Sequence, residues 1–277
     1  MEGEITISLV VNQELAERLE NAEIDTVKSR LTEMQKMDGN PMEVDIQHFG
    51  NATAFSVKNI PGPSYNTVKG LKAGDEDQVE KVIDFYKKKE IPVRFELTPA
   101  HTSTKLLSYL SDAGFYHHDF HSTLYAPILN FRQNNKELKE KITIRKLERH
   151  EFDIFADIYI NSFQMPQFLK NAVAQNNEVL CNHKNWMFYL ASYDGEPAGI
   201  GVLHIDHGVA TLAAAATIPG LRNKGIQSDL IKQRILQAYK QHCDLIAGHA
   251  KFGSTSQNNM ERAGLKIAYT KAIWIER

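Results

Sequence analysis

The sequence predicts a mixed α/β protein in two halves, each a set of helices packed on a mixed sheet. Three observations carry this expectation. From residue 142 to residue 274, strand-like runs alternate with helix-spaced runs. The turns Asp194-Gly195 and Asp206-His207-Gly208 separate consecutive strand-like runs, which marks antiparallel hairpins. A local pattern also recurs at an offset of 150 residues: a helix, Asp112-Ala113-Gly114-Phe115 and a strand, then a helix, Arg262-Ala263-Gly264-Leu265 and a strand.

In the first half, residues 12–36 have helical spacing, with Leu15, Leu19, Ile24, Val27 and Leu31 as apolar points. Residues 42–57 read as two strands, 77–88 as a helix and 93–97 as a strand. Residues 104–112 are a helix, followed by a strand that ends at Tyr125. A polar, charged stretch at 131–141 suits a linker between a first domain, 1–130, and a second, 142–277.

The second half is written more sharply. Residues 142–145 are a strand. Phe152, Phe155, Ala156, Tyr159 and Phe163 space a helix over 151–163. Strands follow at 186–193, 198–205 and 209–217. A helix then places Ile226, Leu230, Ile231, Ile235 and Ala238 on one face. Residues 245–249 are a strand, 256–262 a short helix ended by Gly264, and 266–274 the last strand.

Composition narrows the function classes. The chain has 277 residues, 42% hydrophobic and 24% charged, which suits globular domains with sizeable cores. A net charge of -2 argues against a general nucleic-acid or anionic-membrane surface. Cys181 and Cys243 have no C-x-x-C context, which points to a reducing, cytoplasmic compartment. The acidic start Met1-Glu2-Gly3-Glu4 is wrong for a signal peptide. The longest apolar run, 209–218, is about half the ~20 residues of a membrane helix.

The most informative stretch is Thr217-Ile218-Pro219-Gly220-Leu221-Arg222-Asn223-Lys224-Gly225-Ile226-Gln227-Ser228. An apolar strand enters a basic, glycine-bearing turn, and a helix follows at once. Unpaired N–H groups and the helix dipole make such a place an anion cradle. The guest this chemistry suits is the pyrophosphate of a nucleotide cofactor. Other nucleotide signatures fail. There is no Gly-x-x-x-x-Gly-Lys-Ser/Thr, and Gly199-Ile200-Gly201 has His204 where a third glycine belongs.

With its surroundings, the cradle resembles the GNAT superfamily of acetyl-CoA-dependent N-acetyltransferases. Their hallmark is Val-x-Pro-x-x-Arg-x-x-Gly-x-Gly/Ala, and this chain reads Thr217-x-Pro219-x-x-Arg222-x-x-Gly225-x-Gln227. The preceding hairpin, the following helix and strand, and Glu261-Arg262-Ala263-Gly264-Leu265 extend the match over about 142–277. The resemblance implies a GNAT acyl-CoA N-acyltransferase fold in two tandem halves, with only the second carrying the cofactor motif.

It further implies that backbone amides of Arg222, Asn223, Lys224, Gly225, Ile226 and Gln227 bind the pyrophosphate, with Ser228 adding a hydroxyl. The strand end Ala215-Ala216-Thr217 would bond the pantetheine arm through its backbone, and Asn259 would contact that arm. The implied activity is acetyl transfer from acetyl-CoA to a primary amine, on a small molecule or a peptide.

Three positions depart from the pattern. Gln227 replaces Gly/Ala, Met260 stands where many relatives have a thiolate-protonating Tyr, and Gly253 stands where an Asn commonly opens the last motif. Methionine donates no proton. The strand 209–217 carries no carboxylate, so a base on it is excluded. His204, Asp206 and His249 are the nearest polar candidates, with Ser254 and Ser256 near the departing thiolate, and none stands out as catalytic. His117, Asp119 and His121 alternate along a strand and read as a solvated face rather than a metal site. The alternative to the enzyme is a non-catalytic CoA-binding or regulatory module that kept the fold.

Overall fold

The computed structural model describes residues 9–60, 62–131 and 141–277. All of the expected linker except Phe131 and Lys141 lies outside the described residues. The elements run in chain order α1 (Gln13–Gln35), β1 (Val44–Phe49), β2 (Ala52–Val57), β3 (Thr67–Lys69), α2 (Val79–Lys87), β4 (Arg94–Leu97), α3 (Thr104–Asp112) and β5 (Phe115–Pro127). They continue with β6 (Ile142–Lys146), α4 (Phe152–Phe163), α5 (Lys170–Glu178), β7 (Trp186–Tyr193), β8 (Glu196–Asp206) and β9 (Val209–Thr217). The chain closes with α6 (Ile226–Lys240), β10 (Leu245–Lys251), α7 (Thr255–Arg262) and β11 (Lys266–Glu276).

These elements form two compact units. The N-terminal unit holds Val11–Thr123, Ala250–Phe252 and Ile267–Arg277. The C-terminal unit holds Leu124–His249 and Gly253–Lys266, joined by Leu9 and Val10 ahead of α1. Unit membership therefore crosses the midpoint of the chain: β11 serves the N-terminal unit, and β5 continues past Thr123 into the C-terminal one.

In the N-terminal unit the strands run β1-β2-β3-β4-β11. β11 lies antiparallel to β4, with Trp274 opposite Phe95. Asn12 caps α1 by accepting from the Leu15 N–H at 2.9 Å. Leu15, Leu19 and Leu31 are buried as their spacing predicts, but so are Glu20, Glu23 and Arg30. One stripe of α1 is thus charged and inside. Phe95 meets Phe115 edge-on at 5.1 Å in the core, and the Tyr86 hydroxyl donates to the Phe55 carbonyl at 2.6 Å.

In the C-terminal unit the order is β10-β9-β8-β7-β6. β6 to β9 pair antiparallel, and β9 to β10 pair parallel. Phe152 and Phe155 of α4 stack edge-on against Phe188 of β7, at 5.1 and 5.6 Å. Arg145 grips Glu151 through both carboxylate oxygens at the start of α4 and holds that carboxyl down to about 2. The sequence does not announce β3 or α5. β3 is only three residues long, and α5 is polar and buries just Ala174, Asn176 and Asn177. Among the described residues no helix is long and apolar enough to cross a membrane.

Candidate functional site

The site grows from a defect in β9. β8 and β9 pair residue for residue from Asp206↔Val209 to Leu203↔Leu212, and the register then shifts so that Val202 opposes Ala214. Ala213 is the extra residue, a β-bulge, and a bulge bends its strand. On the other edge, the parallel register with β10 runs from Leu245↔Val209 to Gly248↔Leu212 and extends no further among the described residues. From Ala213 to Thr217, β9 therefore keeps β8 and parts from β10. A fork opens whose β9 edge has backbone groups without a strand partner. Ala215, Ala216 and Thr217 line that edge and still oppose Gly201, Ile200 and Gly199 of β8.

The fork leads into the cradle. Pro219–Leu221 form a 3-10 turn, Asn223 has φ 64 and Gly225 has φ 100. Gly225 is the N-cap of α6, and no side chain caps that helix. A residue with a Cβ is strained at this φ, which is why glycine stands there. The Asp229 N–H closes the first intrahelical bond to the Gly225 carbonyl at 3.0 Å. The amides of Ile226, Gln227 and Ser228 precede it and have no intrahelical acceptor. Arg222, Asn223, Lys224 and Ser228 are exposed around them. Arg222 turns its guanidinium aside and donates to the Ser162 carbonyl at the end of α4, at 2.9 Å. The structure thus gives the Arg222 side chain a tether role.

Two buried hydroxyls beside this path have no hydrogen-bond partner: Thr217 Oγ1 at the end of β9, and Ser162 Oγ under the Arg222 tether. An orphaned polar group in a protein interior costs about 1–3 kcal/mol and asks for an explanation. A polar arm laid along β9 supplies one for Thr217. The residues present thus fit a phosphorylated cofactor with an extended arm. They offer unpaired amides at an uncapped helix, an unpaired strand edge, and an orphaned hydroxyl between them.

The fork apex is closed by Met260. It is 4% exposed on α7, and a Cβ placed on Gly248 would collide with its sulfur. Gly248 is the last β10 residue in register with β9. His249 follows directly and so begins the β10 arm of the fork. His204 faces a different fate: it opposes Thr211 on the β8 side and is buried with its ring 4.5 Å from that of Trp186. Asp206 ends β8 at the hairpin turn and accepts from the His207 N–H at 3.1 Å. Ser254 is the N-cap of α7, accepting from the Gln257 N–H, and Ser256 is exposed on that helix. Asn259 is half-buried, and its Oδ1 accepts from Arg262 at 3.2 Å.

The glycines of β8 have a packing reason. A Cβ on Gly199 would lie 2.8 Å from Ile226, and one on Gly201 would lie 3.1 Å from Arg234 Nε. Both let α6 press on the sheet behind the fork. Arg234, packed behind the fork, is a buried charge that the sequence pattern does not flag. It is 1% exposed and donates to the carbonyls of Leu230, Val202 and Ala214 at 3.0, 3.3 and 3.1 Å. Its sequence signal was an arginine on the apolar stripe of α6, four residues after Leu230.

The N-terminal unit shows what happens without the cradle. The loop after β3 has its own anions. Asp75, 6% exposed, accepts from the Lys72 N–H at 3.0 Å and the Asn51 side chain at 3.1 Å, and Glu76 accepts from the Gly74 N–H at 3.3 Å. Protein carboxylates occupy the donors there. His117, Asp119 and His121 of β5 do not converge: Asp119 pairs with Lys251 at 2.7 Å, and His117 Nε2 bonds the Asp119 carbonyl at 3.0 Å. Among the described residues no three His, Cys, Asp or Glu side chains form a metal-sized group.

No protein-family model matches the sequence, and no curated protein matches it. Solved structures do match along nearly the whole chain. A GCN5-related N-acetyltransferase from Kribbella flavida is 12% identical, with a TM-score of 0.62, over 97% of this chain and 96% of its own. A tandem GNAT protein from the clavulanic acid biosynthesis pathway is 9% identical, with a TM-score of 0.59, over 98% and 97%. A functionally unknown conserved protein from Staphylococcus epidermidis is 13% identical, with a TM-score of 0.62, over 88% and 98%. The fold is the GNAT fold, in a tandem arrangement.

Proposed function

We propose that this protein is a cytoplasmic acyltransferase that moves an acetyl group from acetyl-CoA to a primary amine of a small molecule or peptide. One observation carries the reading: β9 parts from β10 at Ala213 and leads straight into the uncapped start of α6 at Gly225. The amides from Arg222 to Gln227 hold the pyrophosphate, Ser228 adds its hydroxyl, and the edge Ala215-Ala216-Thr217 bonds the pantetheine arm. Asn259 reaches the same arm from α7. Bound acetyl-CoA supplies an acetyl group activated as a thioester.

The acceptor must lose a proton, because an alkyl ammonium has a pKa of about 10.4 and only the free amine attacks. His249 stands at the start of the β10 arm and takes that proton directly or through water. N–H groups on the open edge of β9 face the oxyanion that develops. Met260 leaves no phenol to protonate the departing thiolate, so that proton comes from solvent or from the base. The second reading, a non-catalytic CoA-binding module, is favoured by the same Met260 and by a β9 without ionisable side chains.

Release of free thiol from acetyl-CoA, measured against a panel of amines, separates the two. The enzyme reading expects acceptor-dependent release, reduced by about 10²-fold or more in His249→Gln with CoA affinity retained. CoA binding without release for any amine selects the module.

A further inference from the structure

Arg234 is a fully buried cation whose hydrogen bonds go to carbonyl oxygens of Leu230, Val202 and Ala214. No carboxylate is among these partners. Burial pulls its guanidinium down to about 10, with Tyr189 nearby, so it still carries its charge at neutral pH. Taking a charge out of water carries a desolvation penalty that hydrogen bonds to carbonyls only partly offset. An apolar side chain would serve the packing of α6 without that cost. The position of the bonds suggests what the charge is for. Val202 and Ala214 are the first pair beyond the bulge, and Arg234 Nη1 joins their two carbonyls. The Nε bond back to Leu230 fixes the side chain against its own helix. Gly201, opposite Ala215 on β8, leaves the space through which the guanidinium reaches the strands.

We propose that Arg234 is a positioning residue that pins the β8–β9 bulge from behind and so sets how far β9 splays from β10. It touches neither the cofactor nor the acceptor. The splay it sets is the slot for the pantetheine arm, whereas the pyrophosphate cradle at the start of α6 is independent of it. This inference rests on the CoA reading above.

The test compares two ligands on Arg234→Met, which keeps the length and removes the donors. ADP carries the pyrophosphate without the arm, and CoA carries both. The variant, if it melts cooperatively, is expected to bind ADP within about twofold of wild type and CoA at least about tenfold more weakly. Arg234→Lys, with charge and one donor group, is expected between the two and decides by the same comparison if the methionine variant does not fold. Equal weakening of ADP and CoA, or no weakening of CoA, overturns the positioning role. Wild type that binds neither ligand overturns the CoA reading itself, which is a separate failure.

Discussion

Gly248 and Met260 set the fork at the scale of single residues. Gly248 ends the β9–β10 register, and the Met260 sulfur fills the space a side chain would need. Gly248→Ala is therefore expected to destabilise the protein by about 1–3 kcal/mol through overpacking. Met260→Ala added to it should return part of that loss, because the two groups contend for one volume. Denaturant midpoints of both singles and the double check this. Additive losses would contradict the contact. Gly225 and Gln227 were legible in the sequence because motif spacing names them. Met260 was legible as a departure, but its burial against Gly248 was not, since the two lie on different elements. Arg234 was missed because arginine on a helix ordinarily faces water. The glycines at 199 and 201 were visible, though their reason, the close approach of α6, belongs to packing.

At the scale of elements, the two units put different things where their parallel strands part. In the N-terminal unit β3 and β4 register only at Val68↔Phe95. The next residues, Lys69 and Glu96, meet Glu23 of α1 and Lys271 of β11 in a buried quartet with Nζ to oxygen distances of 2.6 to 2.9 Å. Burial alone raises the Glu96 carboxyl, but Lys271 and Lys69 outweigh it and hold that group well below the usual carboxylate range. Burial likewise disfavours the Lys271 ammonium, and Glu23 and Glu96 reverse the effect and raise it. Lys69 and Lys271 each bond both Glu23 and Glu96, and Arg94 reaches Glu96 from 3.4 Å, so removing the most buried cation is severe. Lys271→Met should cost about 3–5 kcal/mol in an equilibrium melt, because it strands a carboxylate inside. A loss below 1 kcal/mol would contradict this network. Helix and strand positions were largely legible from periodicity. The buried charges were not. Glu20, Glu23 and Arg30 fall on the stripe of α1 that faces inward, and Lys69, Glu96 and Lys271 sit inside strands where the pattern expects apolar residues.

At the scale of the molecule, the chain repeats one order of elements. β1-β2-β3-α2-β4-α3-β5 and β7-β8-β9-α6-β10-α7-β11 match one for one. The recurring Ala-Gly ends the next-to-last element of each series, α3 and α7, in the same way, with the Gly114 and Gly264 N–H groups donating to the carbonyls of Ser111 and Glu261. That repeat was visible in the sequence. The exchange was not: β11 completes the N-terminal unit, and a strand's own residues do not say which sheet edge it will join. Among the described residues the start of α6 stays open, whereas Asp75 and Glu76 occupy the loop donors after β3. The proposed function therefore places one CoA on each chain, at the start of α6. Calorimetric titration of the full chain with CoA tests it, alongside Gln227→Glu. That substitution favours the helix start, where an acidic side chain complements the dipole, yet sets a negative charge against the pyrophosphate. One CoA bound per wild-type chain is expected, with at least about tenfold weaker binding to the variant. Two sites, no binding, or equal affinity for both proteins would contradict it.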